Sequence, residues 1–79
     1  MIPDELTGVL SQNPNIMSGS ICFVGTRVPV LALLDTMLCG QSVDYFLQDY
    51  PDVTKVQALT VLAWEQNQVR SALGLALAS

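Results

Sequence analysis

An apolar segment between Pro29 and Gly40 constrains the fold of this chain more than any other feature of its sequence. Only Asp35 and Thr36 interrupt this segment, so a helix formed here would be apolar on almost every side, as buried helices are. Proline suits the first turn of a helix, and glycine suits the position just beyond the last turn, where the backbone takes a positive φ. We therefore predict a central, buried helix over about residues 29–39.

Local signals beyond this segment predict a short second helix over residues 42–49. Ser42 is a typical N-cap, because its hydroxyl can accept a hydrogen bond from a backbone N–H of the first turn. The pair Tyr50-Pro51 ends the helix, since a residue before proline avoids the helical conformation. Three apolar residues share the expected inner face of this helix: Val43, Phe46 and Leu47.

A capping box marks the start of a third helix. Thr54 and Gln57 stand three residues apart, so that each side chain can bond the backbone N–H of the other. The pattern predicts a helix over residues 54–66 or beyond, followed by an apolar tail, 67–79, that can itself be helical. The residues assigned to the inner face of this helix are Val56, Leu59, Thr60, Leu62 and Ala63.

The N-terminal third of the chain is rich in turn-forming residues and carries two β-prone runs, over residues 8–11 and 21–24. With the three helices, these runs predict one domain, residues 1–79, of the mainly α class. Its expected architecture is a small helix-turn-helix-like three-helix core with one or two short N-terminal β-strands.

The composition excludes several classes of function. Histidine is absent, which removes Ser-His and Cys-His nucleophiles and histidine metal sites. Two cysteines without histidine cannot build a four-ligand zinc site, and only Asp35 of the acidic residues lies in a strongly apolar run. Seven acidic and three basic residues give a net charge of −4, which disfavours binding to a phosphate backbone. We expect no enzyme, no catalytic residue, no metal and no cofactor.

The surroundings of the two cysteines bear on the cellular compartment. Cys22 and Cys39 both lie in apolar sequence, which predicts that both are reduced and buried. The N-terminus lacks the apolar stretch of a secretory signal. The longest apolar run, residues 28–34, is far shorter than the roughly 20 residues that span a bilayer. We expect a cytoplasmic protein that does not enter membranes.

Three sequence blocks resemble the bacterial domain-of-unknown-function family 433. Residues 13–19 contain a proline turn followed by a glycine, and residues 25–30 match the family's Gly-Thr-Arg-hydrophobic-Pro-Val block at every position. The third block is the order of Gly40, Ser42, Tyr50-Pro51 and Thr54. The resemblance covers about residues 9–66. It implies a homeodomain-like fold and an antitoxin-type protein whose partner is a PIN-like ribonuclease toxin.

The leading functional hypothesis is therefore a non-enzymatic, antitoxin-like regulatory protein that binds a protein partner. The alternative is a sequence-specific DNA-binding transcriptional repressor. In that alternative the candidate nucleic-acid contacts are Arg27 and three residues that begin the third helix, Thr54, Lys55 and Gln57, because Lys and Gln can read base edges.

Arg27 also has a structural interpretation. Its planar guanidinium can bond a carboxylate and lock the junction between the second strand and the first helix. The carboxylates considered for this salt bridge are Asp44, Asp49 and Asp52.

The tail provides a candidate partner-binding face. Val69, Leu73, Ala76 and Leu77 follow one another at i, i+4, i+7 and i+8, the spacing of a helix that lies in an apolar groove. Two other interpretations remain open, in which the tail completes the core or is disordered. We also expect a homodimer, because a domain this small has a thin stability margin and an unpaired edge strand can pair with a second copy.

Overall fold

A computed structural model describes residues 2–75 of the chain, apart from the side chain of Met17. The regular elements are two strands, β1 (Leu10–Gln12) and β2 (Ile21–Phe23), and three helices, α1 (Val30–Leu38), α2 (Val43–Asp49) and α3 (Lys55–Ala72). A single 3-10 turn precedes each strand, at Asp4–Leu6 and Met17–Gly19. The fold is mainly α with a small antiparallel β hairpin, which confirms the predicted class.

The hairpin pairs Leu10 with Phe23, and both side chains are buried. β1 begins later than the predicted strand over residues 8–11, because the chain is still turning at Val9, whose N–H closes a turn at 3.0 Å. β2 ends at Phe23, one residue before its predicted end, since the next turn begins there.

α1 begins one residue later than predicted. Pro29 has an extended backbone (ψ 143°) and precedes the helix instead of joining its first turn, because it forms a β-bridge with Cys22 of β2. The end of the helix is confirmed. Gly40 has a φ of +87°, and its N–H donates to the carbonyl of Met37 at 2.9 Å.

α1 is not the wholly buried helix that its apolar sequence predicted. Leu33 is completely buried, whereas Leu31 is 60% and Leu38 is 87% exposed. β2 and α2 pack against α1, and Leu33 joins the core that they form. The prediction is wrong because apolar residues around a helix do not determine how many neighbours a domain of this size can place around it.

α2 agrees with the prediction from sequence. The Ser42 hydroxyl accepts a hydrogen bond from the Tyr45 N–H at 3.0 Å. Phe46 is completely buried, and Val43 and Leu47 pack partly buried against the core. The ring centroid of Phe46 lies 6.1 Å from that of Phe23 and 5.0 Å from that of Tyr50, which places α2 against the hairpin.

α3 starts at the predicted capping box and continues beyond residue 66 to Ala72. Its inner face differs from the prediction. Ala58 and Val61 are buried, whereas Val56 is 73% and Leu59 is 46% exposed. Apolar residues occur on both sides of α3, so the apolar pattern alone did not select a face. The small side chain of Ala58, with no exposed surface, belongs to the core together with Val61.

The core is a single cluster to which the first 3-10 turn, both strands and all three helices contribute. It is formed by the buried residues Leu6, Leu10, Phe23, Leu33, Phe46, Val53, Ala58 and Val61. None of the helices within residues 2–75 is both long enough and apolar enough to cross a membrane.

Candidate functional site

An apolar groove of about 270 Å³ lies between the N-terminal segment, the hairpin, α1 and α3. We call it the α1–α3 groove. Its lining includes the buried residues Leu6 and Val61 and the partly exposed residues Ile21, Leu34 and Trp64. The one charged group in the described lining is the carboxylate of Glu65. A concave lining of this kind suits apolar ligand groups.

A hydrogen bond fixes one wall of the groove. The indole Nε1 of Trp64 donates to Glu5 Oε2 at 3.2 Å and joins residues 59 positions apart in the chain. This bond holds the 3-10 turn that contains Leu6 against α3. Trp64 is the only tryptophan in the chain, so its fluorescence reports on the groove.

Three leucines extend the groove onto the open side of α1. Leu31, Leu34 and Leu38 stand at i, i+3 and i+7 and therefore share one helical face. Leu34 lines the groove, while Leu31 and Leu38 are largely exposed. We call these three residues the α1 leucine face. This face was not predicted from the sequence, although its i, i+3, i+7 spacing is visible there, because every leucine of α1 was expected in the core.

The candidate nucleic-acid contacts at the start of α3 are engaged within the protein. The Gln57 N–H donates to Thr54 Oγ1 at 3.1 Å, and the Thr54 N–H donates to Gln57 Oε1 at 3.0 Å. The Gln57 side-chain amide also donates to the carbonyl of Val24 at 3.2 Å. Lys55 Nζ lies 3.6 Å from Asp44 Oδ1 in an exposed salt bridge. These contacts anchor the N-terminus of α3 to α2 and to the end of β2.

Arg27 does not form the predicted salt bridge. Its side chain is exposed, Asp44 pairs with Lys55 instead, and no described carboxylate lies within salt-bridge distance of Arg27. The strand–helix junction is held by its neighbour Thr26. The Thr26 hydroxyl donates to the Phe23 carbonyl at 2.9 Å and accepts from the Val28 N–H at 3.0 Å. The short Thr26 side chain therefore fixes this turn, in place of the salt bridge predicted for Arg27.

Only part of the candidate partner-binding tail is described. Val69 and Leu73 lie near the end of α3 and are 53% and 67% exposed; Ala76 and Leu77 fall outside the described residues. α3 ends in a Schellman motif, in which Gly74 has a φ of +70° and the Leu75 N–H donates to the Arg70 carbonyl at 2.8 Å. The described part of this face does not pack into the core.

The two cysteines differ in environment. Cys22 is buried, as predicted, and its Sγ lies 3.6 Å from the carbonyl of Ser20. Cys39 is exposed, so the prediction of two buried cysteines is wrong for this residue. Cys39 is the C-cap of α1 and follows the exposed Leu38, beyond the part of the helix that contacts the core. Both are free thiols, and the part of the chain that the structure describes contains no cluster of metal-binding side chains.

A model of a family described as "protein of unknown function (DUF433)" matches residues 10–64, more than half of the chain. The chain belongs to this family. The crystal structure of a DUF433 member protein from Anabaena variabilis ATCC 29413 is similar, with a TM-score of 0.65 and 22% sequence identity over 87% of this chain and 80% of that chain. At this identity the similarity shows the fold alone. No curated protein matches the chain.

The DUF433 match separates the two candidate partner-binding surfaces. The α1 leucine face and the Trp64 wall of the groove lie within the matched residues 10–64, whereas Val69 and Leu73 lie beyond them. Most of the groove lining thus falls within the matched residues, whereas Ile2, Pro3, Leu6 and Glu65 of the lining lie outside them.

Proposed function

We propose that this DUF433 protein is a non-enzymatic, antitoxin-like regulatory protein of the bacterial cytoplasm that acts by binding a protein partner. The resemblance to antitoxin-type members of the family implies a PIN-like ribonuclease toxin as that partner. The observation that carries the proposal is the α1 leucine face. An 87% exposed leucine beside a 60% exposed one, on a helix that opens into an apolar groove, is typical of a surface that another protein covers.

DNA binding is the weaker alternative. Of its four candidate contacts, Thr54 and Gln57 are used by the capping box and Lys55 is paired with Asp44. Arg27 alone has no such partner among the described residues. A net charge of −4 adds long-range repulsion from the phosphate backbone. A surface that offers so few free cations favours a protein ligand over DNA.

Self-association through the hairpin is compatible with this proposal. The outer side of β2 is partly occupied, because the Phe23 N–H donates to the Val28 carbonyl at 3.0 Å and Cys22 bridges to Pro29. β1 has β2 on one side only. We propose a homodimer in which the open edge of β1 pairs with the same strand of a second copy.

The test is copurification from the native host with two matched double variants. Leu31→Ser with Leu38→Ser alters the α1 leucine face, and Val56→Ser with Leu59→Ser alters exposed apolar residues of α3. We expect a retained partner that cleaves RNA when free and is inhibited when bound. The α1 variant should weaken its binding by at least about tenfold, which corresponds to about 1.4 kcal/mol.

The control variant should retain the partner as the unchanged protein does. Equal retention by both double variants would place the binding surface elsewhere. A retained partner without ribonuclease activity would contradict the antitoxin assignment, while the protein-binding role would stand.

A further inference from the structure

We propose that the α1–α3 groove receives a cationic amphipathic helix of the partner protein. This inference rests on the proposed function, because it names the part of the partner that the apolar surface takes. The first support is shape. The α1 leucine face runs along a helix of nine residues, about 14 Å in length, and continues into the groove at Leu34. A two- to three-turn helix with apolar residues at i, i+3, i+4 and i+7 fits a surface of these dimensions.

The charges around the groove indicate which charge the polar face of the bound helix carries. Glu65 lines the groove, Glu5 accepts the hydrogen bond from its Trp64 wall, and Asp4 is an exposed residue just before Glu5 in the same turn. None of the three cations of the chain belongs to the described lining. Arg70 lines a neighbouring cavity together with Glu65. An apolar groove with an acidic border favours a ligand that carries Lys or Arg beside its apolar stripe.

The same charges argue against a second copy as the occupant. Two copies would each bring a net charge of −4 and would place their acidic borders against each other. Like charges brought together across an interface oppose association. The proposed dimer contact at β1 carries the same net charge, but it is formed by backbone hydrogen bonds at a strand edge and does not require the two grooves to face each other.

The fluorescence of Trp64 allows a direct test with the purified protein. The probe is a designed helical peptide of about 14 residues, long enough for the two to three turns of the groove, with leucine at i, i+3, i+4 and i+7 and lysine elsewhere. The matched probe keeps the leucines and replaces every lysine by glutamate. We expect the lysine peptide to change the Trp64 emission and to bind at least about tenfold more tightly than the glutamate peptide.

Two pairs of protein variants separate the groove from general attraction to an acidic protein. Glu65→Gln should weaken binding of the lysine peptide by about threefold, whereas Asp52→Asn, which removes an exposed charge outside the groove, should leave it unchanged. The double change of Leu31 and Leu38 to serine should weaken it further, and the double change of Val56 and Leu59 should not.

Four outcomes would overturn the inference. Equal binding of the two peptides, or equal effects of Glu65→Gln and Asp52→Asn, would show that the border of the groove does not select charge. In the third outcome, light scattering finds a dimer in the unchanged protein and a monomer after the double change of Leu31 and Leu38. That result would identify a second copy as the occupant. If a native partner depends on the α1 leucine face while neither peptide binds, the helix-docking inference fails and the proposed function stands.

Discussion

Because α1 is buried on one side only, the same substitution, leucine to alanine, should lower the free energy of unfolding by very different amounts at different positions of the helix. Leu33 has no exposed surface and belongs to the central cluster, whereas Leu38, five residues later on the same helix, is 87% exposed. Leu33→Ala removes buried methyl groups and leaves a cavity in the cluster that also contains Phe23 and Phe46, so it should lower the free energy of unfolding by about 3 kcal/mol. Leu38→Ala removes atoms that are already in water and should cost less than about 0.5 kcal/mol.

Thermal and urea unfolding, followed by circular dichroism, measure this difference. For a domain of this size, about 3 kcal/mol corresponds to a drop in Tm of roughly 12–24 °C, while Leu38→Ala should shift the Tm by only about 2–4 °C on the same scale. Both substitutions place alanine in the same helix, so a difference in helix propensity cannot account for the contrast. Equal destabilisation by the two substitutions would refute the reasoning, because it would mean that both sides of α1 are buried in the protein in solution.

Three further predictions follow from named contacts. Thr54→Ala should cost about 1 kcal/mol in urea unfolding, because it removes the N-cap of α3, whereas Lys55→Ala should cost less than about 0.5 kcal/mol, since its salt bridge is exposed; the reverse order would contradict the assigned roles. Native alkylation should label Cys39 rapidly and Cys22 only on unfolding, and rapid double labelling in intact-mass spectra would contradict the burial of Cys22. In fluorescence anisotropy at about 150 mM salt, duplex DNA, including the upstream sequence of the gene, should bind more weakly than the 10⁻⁸–10⁻¹¹ M typical of specific sites, and tight, sequence-dependent binding would reverse the order of the two functional hypotheses.

The features that the sequence predicted correctly are local. Ser42 and the Thr54–Gln57 pair mark the starts of α2 and α3 because a cap and its N–H donor lie within three residues. Gly40 marks the end of α1 because the positive φ at that position is a property of one residue. Such signals act through the chain itself and do not depend on the rest of the fold.

The features that the sequence did not predict depend on contacts between distant elements. The Glu5–Trp64 hydrogen bond joins residues 59 positions apart, and no local sequence pattern predicts it. The burial of Ala58 instead of Val56 depends on how closely α3 approaches the core. The apolar sequence of α1 suggested complete burial. How many elements pack around the helix depends on the rest of the fold, which this segment does not determine. The α1 leucine face was not predicted for the same reason, because its exposure depends on which elements pack against α1.

Differential hydrogen exchange of the chain, with and without its copurified partner, tests the central claim most directly. If the partner covers the α1–α3 groove, amide protection should increase along α1 (Val30–Leu38) and in the N-terminal turn at Asp4–Leu6, and the Trp64 emission should change in the same samples. The start of α3, with Val56 and Leu59, should exchange as it does in the free protein. Protection confined to the start of α3, or to the segment beyond Gln66, would contradict the assignment of the α1 leucine face as the partner-binding surface.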